Sequence, residues 1–170
     1  MEREANMRVW VLVDPEPGFE PVRLMSRVRV STEWRVSDRV PDALCTSVEM
    51  MVDSVAENYV RMREAHGYCL RALVPIGDLP DSTYAGQIAV VRGCLVLDRY
   101  MKFVHGDDAP VTEGVAVGFG VLTGDAGGSA SSQFVKVSDV ELLDDVVPPS
   151  NASVAAYCVL LEVDGHCSPE

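Results

Sequence analysis

PDALCTSVEMMVDSVAENYVRMREAH, residues 41 to 66, is the stretch that decides the fold predicted from this sequence. Large apolar residues recur in it three or four positions apart, and at about 100° per residue they fall on one face of an α-helix. These residues are Leu44, Val48, Met51, Val55, Tyr59 and Met62. Pro41 and Asp42 suit the first turn of a helix, and Gly67 follows the last turn, where a left-handed residue often ends a helix. The stretch therefore predicts one long helix with an apolar face that other elements must cover.

The opposite face of this helix is acidic. Glu49, Asp53 and Glu57 repeat every four residues, so a helix would place them together, and we expect a solvated charged surface there. His66 stands at the end of the helix, where positive charge is favourable, and we expect an ordinary structural role for it.

The segments before and after the helix have the alternating pattern of strands. Residues 8 to 13 form one apolar run, and residues 22 to 36 alternate between valine or leucine and arginine. Further strands are predicted over residues 68–76, 84–91, 94–104, 111–122, 134–140 and 154–163. We therefore expect an α+β fold in which an antiparallel sheet of about six to seven strands wraps around one long central helix. Residues 1–170 are predicted to form a single domain, with 124–170 as extra C-terminal strands and a tail.

The amino-acid composition limits the kinds of molecule that this protein is expected to bind. The chain has 170 residues, of which 48% are hydrophobic, so a packed core is expected without disulfides. Its formal net charge of −12 argues against binding to nucleic acid or to anionic membrane surfaces. No run approaches the 18 apolar residues of a membrane-spanning helix.

The cysteines and the N-terminus point to the cytoplasm. Five cysteines are widely spaced, with no cluster typical of a metal site, and we interpret them as reduced and mostly buried thiols. The N-terminus is acidic before its short apolar run, which is unlike a signal peptide. We therefore expect a cytoplasmic protein with no metal and no cofactor.

The order of elements resembles the hotdog fold of acyl-thioester enzymes, in which a sheet wraps a long helix. Residues 94 to 122, CLVLDRYMKFVHGDDAPVTEGVAVGFGVL, are similar to the late hairpin of that family. Residues 28 to 76 are similar to its opening strand, loop, helix and following strand. The resemblance implies a homo-oligomer, a dimer or higher, that acts on an acyl thioester or polyketide-type acyl substrate. The implied reaction is hydrolysis, as in a thioesterase, or a dehydration or cyclisation.

Three residues are candidates for catalysis in such an enzyme. Asp38 lies just before the predicted helix and Asp42 in its first turn, where a carboxylate could activate water and the free N–H groups of the helix could bind the carbonyl oxygen. Asn58 lies on the border of the apolar face, which the resemblance places beside a ligand tunnel. The alternatives are a loop charge, a helix-capping acid and a surface amide, respectively.

Arginines supply the candidate binding residues. Arg39, Arg63 and Arg71 could meet the phosphates of coenzyme A, and the alternative is that they simply face solvent. A second function also remains open, that of a non-catalytic ligand-binding or structural assembly subunit. It is favoured by three features: the hotdog family's loop with Asp, Gly-His and Asn is missing before the helix, the strand around Gly118 is rich in glycine, and a hairpin is added at the C-terminus.

Overall fold

The computed structural model describes residues 6–14, 22–97, 109–124, 131–148 and 153–165. In this part of the chain there are nine strands: β1 (Arg8–Val13), β2 (Arg27–Val36), β3 (Thr46–Val55), β4 (Tyr59–Glu64), β5 (Arg71–Pro75), β6 (Ile88–Leu97), β7 (Val111–Thr123), β8 (Gln133–Val137) and β9 (Val154–Val163). The helical segments among these residues are short 3₁₀ turns at Ser37–Arg39, Asp42–Leu44, Ile76–Asp78 and Leu143–Asp145. The end of the predicted strand 94–104 and the tail 166–170 lie outside the described residues.

The strands close into an eight-stranded barrel. They pair in the order β2-β5-β4-β3-β6-β1-β9-β7, and β7 returns to β2, while β8 adds to β7 outside the closed ring. Most pairs are antiparallel, but β1 runs parallel to β6 and β2 runs parallel to β5. Closure leaves the ring strands without a long unpaired edge, which is the usual way in which such sheets avoid aggregation.

Strand β2 divides the barrel because it changes neighbours halfway along. Residues 27–31 pair with β7, whereas residues 32–36 pair with β6 on the other side of the barrel. The pairs therefore form two closed circuits, β2-β5-β4-β3-β6 and β2-β7-β9-β1-β6, which share β2 and β6.

Two buried threonines hold the point where β2 passes from β7 to β5. Thr32 and Thr112 have no exposed surface, and their hydroxyl oxygens lie 3.1 Å apart. Thr32 Oγ1 donates to the carbonyl oxygen of Arg71 at 2.6 Å, and Thr112 Oγ1 accepts from the backbone N–H of Arg71 at 3.1 Å. The hydroxyls thus satisfy backbone groups of β5 at the junction of the two circuits.

The core follows from the alternation of side chains along the strands. In β3, Val48, Met50 and Val52 point inward and are at most 2% exposed, and in β4 Val60 and Met62 do the same. The largest fully buried side chains are Trp34, Phe119, Leu12, Leu44, Met50, Met62, Leu70, Leu95, Leu122 and Leu161. Most of these side chains belong to one apolar cluster to which every strand of the ring contributes, including β5 through Ala72 and Val74. Leu12, Leu44 and Leu122 belong to a second, smaller cluster.

The predicted helix over residues 41 to 66 is wrong. The stretch is a 3₁₀ turn followed by the antiparallel hairpin of β3 and β4. Leu44 in the 3₁₀ turn and Val48 and Met62 in the hairpin are buried, as a helix would also have buried them, whereas Val55 is 43% exposed. Apolar residues three or four positions apart in this stretch lie on the inner face, on the outer face and in the turn of the hairpin. The helical spacing therefore assigned to one helix face residues that do not share a face. Gly67 does have a left-handed φ of 102°, but it lies in the turn after β4.

The α+β fold and the resemblance to the hotdog fold are wrong for the same reason. A hotdog sheet needs a long helix inside it, and among the described residues the interior is filled by side chains of the strands, of loops and of short 3₁₀ turns. The strands predicted over residues 8–13 and 154–163 are confirmed with the same bounds as β1 and β9. The two strands predicted over 84–91 and 94–104 are one strand, β6, as far as residue 97. From the C-terminal segment, β9 pairs between β1 and β7 inside the ring.

Candidate functional site

The outer face of β6 and β3 carries apolar side chains in water. Ile88 and Val90 are 55% and 66% exposed, and they alternate with the inward Val91, which is 6% exposed. Met51 of β3 is half-buried and lies directly opposite Ile88 in the register of the two strands. We call Met51, Ile88 and Val90 the apolar patch. Single exposed apolar residues are common on proteins, whereas contiguous apolar patches more often mark contact surfaces.

Ion pairs surround the apolar patch on three sides. Arg92 continues the outer row of β6 beyond Val90 and pairs with Asp42. Arg63 of β4 lies opposite Met51 in the register. Its Nε is 3.0 Å from a carboxylate oxygen of Asp53, and one of its amino groups is 3.6 Å from the sulfur of Met51.

The third ion pair joins His66 to Glu49. Glu49 lies opposite Val90 in the register, and its carboxylate contacts Nε2 of His66. This hydrogen bond is the main reason why the pKa of His66 is raised, and the charge of Glu64 raises it further. Glu64 is only 4% exposed, and its carboxylate accepts the backbone N–H groups of His66 at 2.8 Å and Tyr68 at 2.9 Å. The turn after β4 therefore holds His66 beside Glu49.

The charge around the apolar patch is balanced, unlike that of the whole chain. Each of the three ion pairs joins one acid to one base, whereas the chain has 26 acidic residues and 14 lysines and arginines. The patch is therefore a region where the general negative charge does not oppose the approach of another acidic surface.

The residues predicted for catalysis do not come together. Asp38 and Asp42 are exposed in the two turns between β2 and β3, and Asn58 is exposed in the turn between β3 and β4. The whole length of β3 separates Asp42 from Asn58, which is on the order of 30 Å at about 3.3 Å per residue. The catalytic roles stay predictions, but Asp42 and Asn58 are too far apart to act on one small substrate.

The residues predicted for phosphate binding are partly neighbours. Arg63 and Arg71 lie opposite each other on β4 and β5. Arg39 is elsewhere, because its guanidinium pairs at 3.2 Å with Asp78, which follows the far end of β5. The acids that pair with Arg39 and Arg63 already occupy the positions where phosphates would bind.

The cysteines differ from the prediction in one case. Cys69 is disulfide-bonded, so the expectation that all five thiols are reduced is wrong. Cys45, Cys94 and Cys158 are free. Burial raises the pKa of Cys94 to about 12 and also raises the pKa of Cys158, so both are unreactive thiols. No group of three or more His, Cys, Asp or Glu side chains among the described residues is arranged to hold a metal ion.

The apolar patch was not predicted from the sequence. The sequence QIAVVRG, residues 87 to 93, signals a strand but is apolar at both alternating sets of positions, so it does not show which side chains face water. Only the pairing of β6 with β3 shows that Ile88 and Val90 point outward.

Comparison with known proteins adds no relative. A scan against models of protein families finds no match, and searches of curated proteins and of solved structures find none either. Within the described residues, no helix has the length and hydrophobicity needed to cross a membrane.

Proposed function

We propose that this chain is a non-catalytic structural subunit that associates with further copies of itself through the apolar patch. The observation that carries the proposal is the exposure of Ile88 and Val90 side by side on the outer face of β6. Covering an apolar surface yields roughly 25 cal/mol per Å², so burying these two side chains against another copy favours association.

The structural features that supported an acyl-thioester function are not present among the described residues. It depended on a helix whose free N–H groups would bind a carbonyl oxygen and on a tunnel between helix and sheet. The stretch concerned is the β3–β4 hairpin, and the resemblance that supplied the substrate was wrong. A thioesterase-like hydrolase acting on acyl-CoA is therefore not part of the proposal.

A cytosolic location belongs to the proposal and is not settled by the thiols. The free thiols Cys45, Cys94 and Cys158 favour a reducing compartment, whereas the disulfide at Cys69 is typical of an oxidising one.

Sedimentation velocity tests the proposed association. We expect the sedimentation coefficient of the wild type to rise between about 1 µM and about 300 µM, which is the range for a contact of modest size. Ile88→Asp and Val90→Asp should each remove this rise, because a carboxylate would lose its water in the contact. Val147→Asp is the matched control, since Val147 is 77% exposed and does not belong to the patch. A wild type that stays monomeric throughout would overturn the proposal.

A further inference from the structure

The two ends of the outer face of β6, β3 and β4 carry ion pairs of the same kind. At one end Arg92 pairs with Asp42, and at the other end Arg63 pairs with Asp53. Along β6, Arg92 and Ile88 are four residues apart, which is about 13 Å. Across the sheet, Arg63 on β4 lies two strands away from Ile88, which is about 10 Å. The apolar patch lies between the two ends.

We infer that two copies of this chain meet face to face about a two-fold axis, with Arg92 of one copy opposite Asp53 of the other. This inference rests on the proposed function and adds the orientation of the copies and the residues that select it. In a two-fold contact the same surface occurs on both sides, so each contact is made twice. Arg63 of one copy then faces Asp42 of the other, and all four charges keep a partner of opposite sign.

The distribution of charge selects a second copy as the partner. A strongly basic or strongly acidic partner would meet equal numbers of acids and bases around the patch and would gain little from them. A second copy presents the same arrangement in reverse, so that Arg92 and Arg63 of each copy can meet Asp53 and Asp42 of the other, while Glu49 keeps His66 of its own copy. Elsewhere the net charge of −12 makes two copies repel each other, which disfavours the other orientations.

The contact is expected to be weak and closed. Three strands about 4.8 Å apart, each contributing about 13 Å, give a footprint of about 200 Å², well below the roughly 800 Å² per partner of a standard interface. A two-fold contact uses its surface completely, so association should stop at the dimer instead of continuing into chains.

A charge exchange tests the orientation. Arg92→Asp alone should weaken dimerisation at least about tenfold, because an acid would then face Asp53 of the other copy. Asp53→Arg alone should weaken it similarly, because two bases would meet. An equimolar mixture of the two variants should form a heterodimer about as readily as the wild type dimerises, since every contact again joins opposite charges.

The controls separate a failure of the orientation from a failure of the proposed function. Arg8→Asp removes an exposed ion pair with Glu162, far from the patch in sequence and on another strand, and should dimerise like the wild type. Circular dichroism confirms that each variant is folded. If the wild type dimerises but the mixture associates no better than the single variants, the inferred orientation is wrong and the proposed function stands. If the wild type does not associate at all, the proposed function itself fails, and this inference fails with it.

Discussion

Gly93 faces the backbone of Arg35 so closely that no side chain fits between them. A Cβ atom at Gly93 would overlap the carbonyl oxygen of Arg35 and lie 2.9 Å from its carbonyl carbon and 3.0 Å from Nε1 of Trp34. At Gly93, β6 pairs with Val36 of β2 and with Thr46 of β3 at once. Among the described glycines, Gly93 is therefore the one where an added Cβ would come closest to another atom, at the branch where β6 leaves β3.

Replacing this glycine should destabilise the whole barrel. For Gly93→Ala we expect a loss of at least about 2–3 kcal/mol in the free energy of unfolding, because the atoms that would have to move belong to the backbone. Gly77→Ala is the matched control, with no atom within 4 Å of the added Cβ, and should change stability by less than about 0.5 kcal/mol. Urea denaturation measures both, and equal midpoints for the two variants would contradict the packing described here.

The threonine pair at the junction of the two circuits gives a second prediction. Thr112→Val should cost about 1–3 kcal/mol, because the backbone N–H of Arg71 would lose the hydroxyl that accepts from it. Thr32→Val should cost less, about 0.5–1.5 kcal/mol, because Thr112 Oγ1 also lies 2.9 Å from the carbonyl oxygen of Arg71. Since the two hydroxyls contact each other and share that carbonyl oxygen, the two losses should not add, with a coupling of about 0.5 kcal/mol or more in magnitude. A double-mutant cycle by urea denaturation measures this coupling, and strictly additive losses would show that the hydroxyls act independently.

The sequence predicts strands well where one pattern alone fits. β1 and β9 are short apolar runs with polar residues or prolines near their ends, and their bounds are as predicted. β7 differs from its predicted range by a single residue, Thr123. In these segments no helical spacing competes with the pattern of a strand.

Residues 41 to 66 show why the remainder of the fold was missed. Val48, Met50 and Val52 alternate as a strand should, but Met51 and Val55 are also apolar, so a helical spacing fits the same letters. The valines favour a strand, yet propensity is a weaker signal than apparent periodicity. Whether this stretch forms a helix or strands is decided by its pairing with segments distant in sequence, since β3 pairs with β6 some forty residues later. The apolar patch depends on the same pairing, so the sequence alone does not show it.

His66 should titrate at a higher pH than an ordinary histidine. The hydrogen bond that its imidazole donates to the carboxylate of Glu49 is the main cause of its raised pKa, and the charge of Glu64 adds to it. Because the folded pKa lies above the unfolded value, the ion pair stabilises the fold fully below the ordinary value of 6.5, and this contribution is lost as the pH rises through the folded pKa. Proton NMR of the imidazole should show the pKa falling in Glu49→Gln but not in the control Glu57→Gln. An unchanged value in Glu49→Gln would show that the contact does not form in solution.

The cysteines should react in an order set by burial. Cys45 is the only half-exposed thiol among the three free ones, and burial raises its pKa less than those of Cys94 and Cys158. In the native protein at mildly alkaline pH, iodoacetamide should therefore label Cys45 first, and Cys94 and Cys158 only after unfolding. Cys69 should be labelled only when a reductant is added to the unfolded chain. Peptide mapping by mass spectrometry reads out all four positions. Labelling of Cys69 without reductant would show that the disulfide is absent and would favour a reducing compartment, whereas early labelling of Cys94 would show that the barrel opens between β6 and its neighbours.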